Sequence, residues 1–224
     1  MIDITREGNV FILTMNAGEN RFNPGFLEEL GLALDEVEAA NGPTAMVTTG
    51  GSEKFYSNGL DLEWMTGDGA SDALAMVADV LRLYARLLEF PVPSVAAMNG
   101  HAFAGGGMFA TAHDYRVMRH DRGYFCLPEV DLGMPLADGM TALLQAKLRG
   151  DVLRDLLLTG QRLGGAECAE HGIVDEAVAA SRVLPRAIER AEALSGKHRG
   201  AYRALKRGMF ATAIAVLRKA EVPG

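Results

Sequence analysis

Three segments of this chain combine residue types that could do chemistry. In Lys54-Phe55-Tyr56-Ser57-Asn58-Gly59-Leu60-Asp61-Leu62, the glycine lets the backbone turn with N–H groups facing outward. Asp61 can accept a hydrogen bond from the start of a following helix. In Asn99-Gly100-His101-Ala102-Phe103-Ala104-Gly105-Gly106-Gly107-Met108, a glycine run follows a β-rich stretch and opens a helix, so its N–H groups can be aimed at an anion. In Leu127-Pro128-Glu129-Val130-Asp131-Leu132-Gly133, two carboxylates lie among apolar residues. An acid in an apolar pocket has a raised pKa and suits proton transfer. Extended backbone would put Glu129 and Asp131 on one side, whereas a turn beginning at Pro128 would separate them. Spacing leaves both readings open. Each loop taken alone also fits a plain turn or a close packing contact.

Other reactive patterns are missing. No Lys-Ser/Thr follows the glycine run, and its glycines are contiguous rather than spaced as in a dinucleotide fingerprint. There is no Gly-x-Ser-x-Gly elbow and no His-Glu-x-x-His. The five histidines, at 101, 113, 120, 171 and 198, are scattered; His101 alone sits in a chemistry-bearing loop, where it either touches substrate or packs. Cys126 and Cys168 read as small core residues, and two cysteines make neither a disulfide framework nor a thiolate metal site.

These loops need a scaffold, and hydrophobic periodicity supplies an α/β one. Ile2, Ile4, Val10 and Ile12 flank Gly8-Asn9 as a hairpin. Helical spacing predicts helices over 26–40, with Phe26, Leu30, Leu34 and Val37 inward, and over 73–90, with Leu74, Val77, Leu81, Tyr84 and Leu88 in one stripe. Residues 44–49, 94–98 and 114–118 read as strands, 125–129 and 173–178 as extended, and 159–163 as a turn. Further helices are expected at 139–148, 151–158, 165–171, 180–196 and 201–218. The apolar stretch from Val92 to Ala112 holds Pro93, Asn99, His101 and glycines, which fits strand, turn and helix better than a membrane span.

Composition narrows the class. The 224 residues suffice for one domain with a large core or two small ones. A net charge of −7 argues against general nucleic-acid binding while allowing a local basic pocket for a phosphorylated small ligand. Charged residues among the first seven leave no room for a signal peptide, so a cytoplasmic, reducing location is expected.

Taken in order and separation, the three segments, together with Leu158-Thr159-Gly160-Gln161-Arg162, resemble the crotonase superfamily of enoyl-CoA hydratases and isomerases. The likeness runs from about Ile2 to Val178. It implies a spiral α/β core of ββα units over 1–178 and a helical trimerisation region over 179–224 within the same structural unit. It also implies acyl-CoA thioester substrates, homo-trimers or hexamers, and no metal or redox cofactor, coenzyme A arriving with the substrate. Two backbone N–H groups, matched to Asn58 and Gly105, would hold an enolate-like oxygen. Losing one such donor costs about 3–4 kcal/mol in the transition state.

Where hydratases carry two carboxylates, this chain has Met108 at the first position and Glu129 at the second. One glutamate facing an apolar residue is the pattern of Δ3,Δ2-enoyl-CoA isomerases, and Asp121 through Pro135 looks especially like the plant peroxisomal members. The resemblance therefore implies that Glu129 moves a proton from C2 to C4 in a dry pocket lined by Phe103, Met108, Leu132 and Leu136. A hydratase or thioesterase reaction with Asp61 or Asp131 as partner acid is the enzymatic alternative. An acyl-CoA-binding protein without turnover is the other. The ending Glu221-Val222-Pro223-Gly224 lacks the peroxisomal tripeptide, which adds to the cytosolic expectation.

Overall fold

Alternation along the first strands builds two cores at once. In the computed structural model, which describes residues 1–219, β1 (Ile2–Glu7) and β2 (Val10–Met15) form the expected antiparallel hairpin. Val10 and Ile12 point to one face of the sheet, and Phe11, Leu13 and Met15 to the other. After β3 (Arg21–Phe22), helix α1 (Pro24–Ala39) opens on an Asn23 cap whose side chain accepts from Phe26 N–H at 3.0 Å. It buries Phe26, Leu30, Leu34 and Val37. The chain continues through β4 (Ala45–Gly50), β5 (Phe55–Ser57), β6 (Gly59–Leu60), α2 (Leu62–Thr66) and α3 (Ala73–Leu88). On α3 the predicted stripe is buried except for Leu74, which faces solvent.

The Val92–Ala112 stretch resolves into β7 (Ser94–Met98), β8 (His101–Phe103) and α4 (Gly105–Ala112). No helix among the described residues is long and apolar enough to cross a membrane. Then come β9 (Tyr115–Arg119), β10 (Phe125–Cys126), α5 (Glu129–Leu132), α6 (Asp138–Lys147), α7 (Gly150–Thr159), β11 (Arg162–Leu163), α8 (Gly165–Glu170) and β12 (Glu176–Val178). A 3₁₀ turn at Ala180–Arg182 leads into α9 (Val183–Leu194), α10 (Arg199–Met209) and α11 (Ala211–Lys219).

The main sheet has the order β1-β2-β4-β7-β9-β12, parallel from β2 onward. One face is covered by α9 through Val183, Ala187 and Ala191. The other carries the larger core, into which α1, α3, α4, α6 and α11 pack. A second sheet runs β11-β10-β8-β5, and β3 pairs with β6. This is the α/β crotonase-like fold with a helical C-terminal region.

Four sequence expectations are corrected. The extended reading of 125–129 stops at Cys126, because Pro128 starts a turn into α5. Only 176–178 of the 173–178 run is a strand, and the 159–163 turn contains β11. The single closing helix divides at Phe210, which lets Ala213, Ile214 and Leu217 of α11 bury. Helix α10 is mostly polar. It is tied to the core by Lys206 to Asp114 at 2.7 Å, Arg203 to Glu38 at 3.2 Å, and Tyr202 Oη donating to Asp114 at 3.0 Å.

Candidate active site

The three chemistry-bearing segments leave three neighbouring strands. β5, β8 and β10 lie side by side and parallel, so Asn58-Gly59-Leu60, Ala104-Gly105 and Pro128-Glu129 emerge at one edge. Crevices beyond the carboxyl ends of parallel strands are where α/β sheets bind ligands. Here that edge lines a cavity of about 270 Å³ whose walls include Asn58, Leu60, Phe103, Gly105, Met108, Glu129, Leu132 and Leu136. The predicted Phe103, Met108, Leu132, Leu136, Gly105 and Glu129 are thus brought together.

Glu129 is the only carboxyl-bearing residue among those lining the cavity, and it is half-buried at the start of α5. Its Oε2 is buried with no hydrogen-bond partner among the described residues. Burial pushes the carboxyl above its ordinary value, opposed by a backbone hydrogen bond. Because charge at this position is poorly solvated, Glu129 is suited to exchange a proton with a bound molecule. Met108 is fully buried in the same wall.

Asp61 and Asp131 lie outside the cavity lining. Asp61 caps α2, accepting from Trp64 N–H at 3.2 Å and from Asn23 Nδ2 at 3.2 Å. The turn at Pro128 swings Asp131 to the exposed side of α5, beside Gly160. His101 does not line the cavity either: Tyr124 N–H donates to its Nδ1 at 3.2 Å, and its ring lies 4.9 Å from Phe103. Burial, then the nearby Lys54, Arg122 and Arg162, lower its pKa. The structure thus leaves all three outside the cavity lining, Asp61 and His101 engaged in the hydrogen bonds named and Asp131 exposed.

Asn58 lines the cavity, but its backbone N–H is already committed, donating to the Glu19 carbonyl at 3.0 Å. Its side chain donates to Glu19 Oε2 at 2.9 Å. The expectation that Asn58 offers a free N–H is therefore corrected. The neighbouring geometry favours Leu60. Asp61 N–H donates to the Phe22 carbonyl at 3.0 Å, and successive N–H groups on extended chain point opposite ways. Leu60 N–H accordingly faces away from β3, toward α4, and Leu60 N lies 3.6 Å from where a Cβ on Gly105 would sit. Gly59 makes this approach possible: its φ is +79°, and a Cβ there would meet Gly105 N at 2.6 Å. Counting residues from a glycine motif cannot reveal which N–H the ladder has used. No local signal marks the difference, because the carbonyls that take the Asn58 and Asp61 N–H groups come from Glu19 and Phe22.

Sequence reasoning also missed Met140 on α6 and Arg21, the one cationic side chain in the lining. Arg21 Nε donates to Glu19 Oε2 at 2.8 Å. Although burial opposes it, hydrogen bonds from Asn58 and Arg21 hold Glu19 below the usual carboxylate range. Among the described residues no group of three or more His, Cys, Asp or Glu side chains could hold a metal, and both cysteines are free.

A spiral α/β fold whose parallel strand ends enclose an apolar cavity with a single carboxyl is of the crotonase-like class. The profile of the family described as Enoyl-CoA hydratase/isomerase matches residues 5–221. Enoyl-CoA delta isomerase 3 of Arabidopsis thaliana is 38% identical over 204 residues, covering 88% of this chain and 86% of the relative. Enoyl-CoA delta isomerase 2, peroxisomal, of the same plant is 36% identical over 184 residues, covering 79% and 77%. The crystal structure of an enoyl-CoA hydratase from Mycobacterium ulcerans superposes with a TM-score of 0.90 at 27% identity, covering 98% of this chain and 95% of that one. This chain belongs to the enoyl-CoA hydratase/isomerase family.

The peroxisomal designation of one of these relatives overturns the cytoplasmic expectation. Compartment is addressed by short signals that receptors read, and core packing does not encode it. Residues 221–224, on which the tripeptide argument rested, lie outside the described residues.

Proposed function

We propose that this enzyme, which acts on an enoyl-CoA substrate, shifts the double bond of a 3-enoyl-CoA to the 2-position. The observation that carries the reading is Glu129 as the single carboxyl among the residues lining a cavity that Met108 also lines. Hydration needs a positioned water as well as a delivered proton, work suited to two carboxylates, whereas isomerisation needs one base that takes a proton at C2 and returns it at C4. The thioester oxygen would lie between the N–H groups of Leu60 and Gly105, which stabilise the dienolate as C2 loses its proton. Glu129 then protonates C4, and the apolar wall of Phe103, Met108, Leu132 and Leu136 keeps water from adding. We also infer a homo-trimer or hexamer: Leu205 and Met209, one turn apart on α10, are 68% and 73% exposed. Sedimentation reads that state directly.

The deciding experiment is incubation with 3-hexenoyl-CoA and, separately, with 2-hexenoyl-CoA, following the isomer and the 3-hydroxyacyl product. The 2-enoyl isomer should form from the first with little hydration of the second. Comparable accumulation of 3-hydroxyacyl-CoA would instead assign a hydratase, and thioester binding with no exchange at C2 would assign a carrier.

Met108→Glu tests the apolar partner. Two acids in one small cavity couple, one being held protonated by like charge and desolvation. Isomerase activity should fall and a trace of 2-enoyl-CoA hydration appear, well short of hydratase rates because water also needs a shaped site. The melting curve should show a loss of about 1–3 kcal/mol if the new carboxyl goes unpaired. Unchanged isomerisation with no hydration would mean that Met108 does not face the reacting carbons.

A further inference from the structure

Ala104 joins β8 to α4 with φ 48° and ψ −125°, and it is one of two non-glycine residues with positive φ among those described. Side chains rarely adopt this backbone, which persists only where its surroundings impose it. The peptide at issue is Ala104–Gly105, whose N–H belongs to Gly105. Its N-terminal side is anchored, since Ala104 N–H donates to the Cys126 carbonyl at 2.9 Å. On its C-terminal side, Tyr84 Oη donates to the Gly105 carbonyl at 2.7 Å.

Tyr84 comes from the middle of α3, is fully buried, and does not line the cavity. Its oxygen lies 3.1 Å from where a Cβ on Gly105 would sit, so it abuts the turn directly. Burial, then the charge of Glu129, hold its phenol well above the ordinary value, which keeps the hydroxyl a donor.

We propose that Tyr84 is a positioning residue: its hydrogen bond to the Gly105 carbonyl holds the strained Ala104–Gly105 turn so that the Gly105 N–H faces the cavity. The inference rests on the reading of Gly105 as an oxyanion donor, but the clamp can be examined apart from it. A clamp acting on a transition-state donor alters kcat more than KM, whereas a packing residue lowers the melting temperature without splitting the two.

Tyr84→Phe keeps the ring and removes the donor. With 3-hexenoyl-CoA, kcat should fall about ten- to a hundredfold, as expected for a misplaced catalytic contact, while KM stays within a few-fold. In the crystal structure of the variant, Ala104 should relax to negative φ and the Gly105 N–H should turn from the cavity. An unchanged Ala104–Gly105 turn overturns the clamp whatever the kinetics, and so does wild-type kcat. Ala104→Gly removes the strain, so Tyr84→Phe added to Ala104→Gly should cost much less kcat than Tyr84→Phe alone. An equal loss in both backgrounds also overturns it. If the single Tyr84→Phe protein does not fold, the double variant is read against Ala104→Gly alone, and a kcat loss of about tenfold or more there overturns the clamp. If the wild type fails to isomerise 3-hexenoyl-CoA, the functional reading fails, and the structure of Tyr84→Phe still decides the clamp.

Discussion

Glu129→Gln should reduce turnover of 3-enoyl-CoA by about 100-fold or more, with thioester affinity nearly unchanged. Glutamine keeps the size and most of the packing of the side chain and removes only proton capture. The wild-type pH profile should agree. Burial raises the Glu129 pKa from its ordinary 4.5, and the base works ionised, so kcat/KM should climb with pH to a midpoint above that value. Stability should move the other way. A carboxyl with a raised folded-state pKa contributes stability that is present below its unfolded pKa and lost as pH rises through the folded one. Melting temperatures of wild type and Glu129→Gln should therefore be similar near pH 4, with the variant gaining as pH approaches 7. Near-normal turnover in the variant would remove Glu129 from the mechanism, and a stability difference independent of pH would contradict the desolvated carboxylate.

Gly105→Pro should be the other severe lesion, lowering kcat by about 100- to 1000-fold, the usual effect of losing one oxyanion donor. Proline is acceptable at the first residue of a helix, where Gly105 stands, so α4 itself can survive. Two further consequences concern the site. The N–H is deleted, and the residue before a proline is driven toward extended backbone, away from the ψ of −125° at Ala104. Gly105→Ala separates these effects from simple crowding. Its Cβ would meet Tyr84 Oη at 3.1 Å and Gly59 Cα at 3.3 Å, tight contacts that ask the neighbours to shift while the N–H remains. Alanine should accordingly be impaired less than proline, and binding of an enolate analogue should weaken far more in the proline variant than binding of a saturated acyl-CoA. Equal kcat values for the two folded variants would show that the Gly105 N–H is not a donor. Asn58→Ala supplies the contrast: its backbone N–H is held by Glu19, so the loss should be small.

Most of the scaffold was legible because long elements repeat a period. Phe26, Leu30, Leu34 and Val37 mark α1 at helical spacing, and the main-sheet strands stand out as β-rich runs bounded by Gly, Pro or Asn. The two- and three-residue strands β3, β5, β6, β8 and β11 were not, since so few residues show no alternation. They are strands only because neighbours brought by the rest of the fold complete their hydrogen bonds. The closing helix read as continuous because nothing local forbids it; the break at Phe210 arises where α11 must bury Ile214 and Leu217.

The same division runs through the site. Residue types along the chain named the chemistry available: a glycine run opening a helix, a carboxyl after a proline and, through the family resemblance, a methionine where hydratases carry a second acid. Residue type is a local property, and the segments 54–62, 99–108 and 127–133, in that order and joined by 158–162, were enough to mark the family. Tertiary structure alone decided which groups were usable. It left Glu129 in the cavity and turned Asp131 to solvent, because Pro128 starts a helix rather than prolonging a strand. It tied up the Asn58 N–H with a carbonyl 39 residues away in the chain and left Leu60 facing Gly105. Whether a polar group is free or taken depends on partners distant in sequence, and only the pairing of β3 with β6 and of β8 with β5 and β10 supplies them.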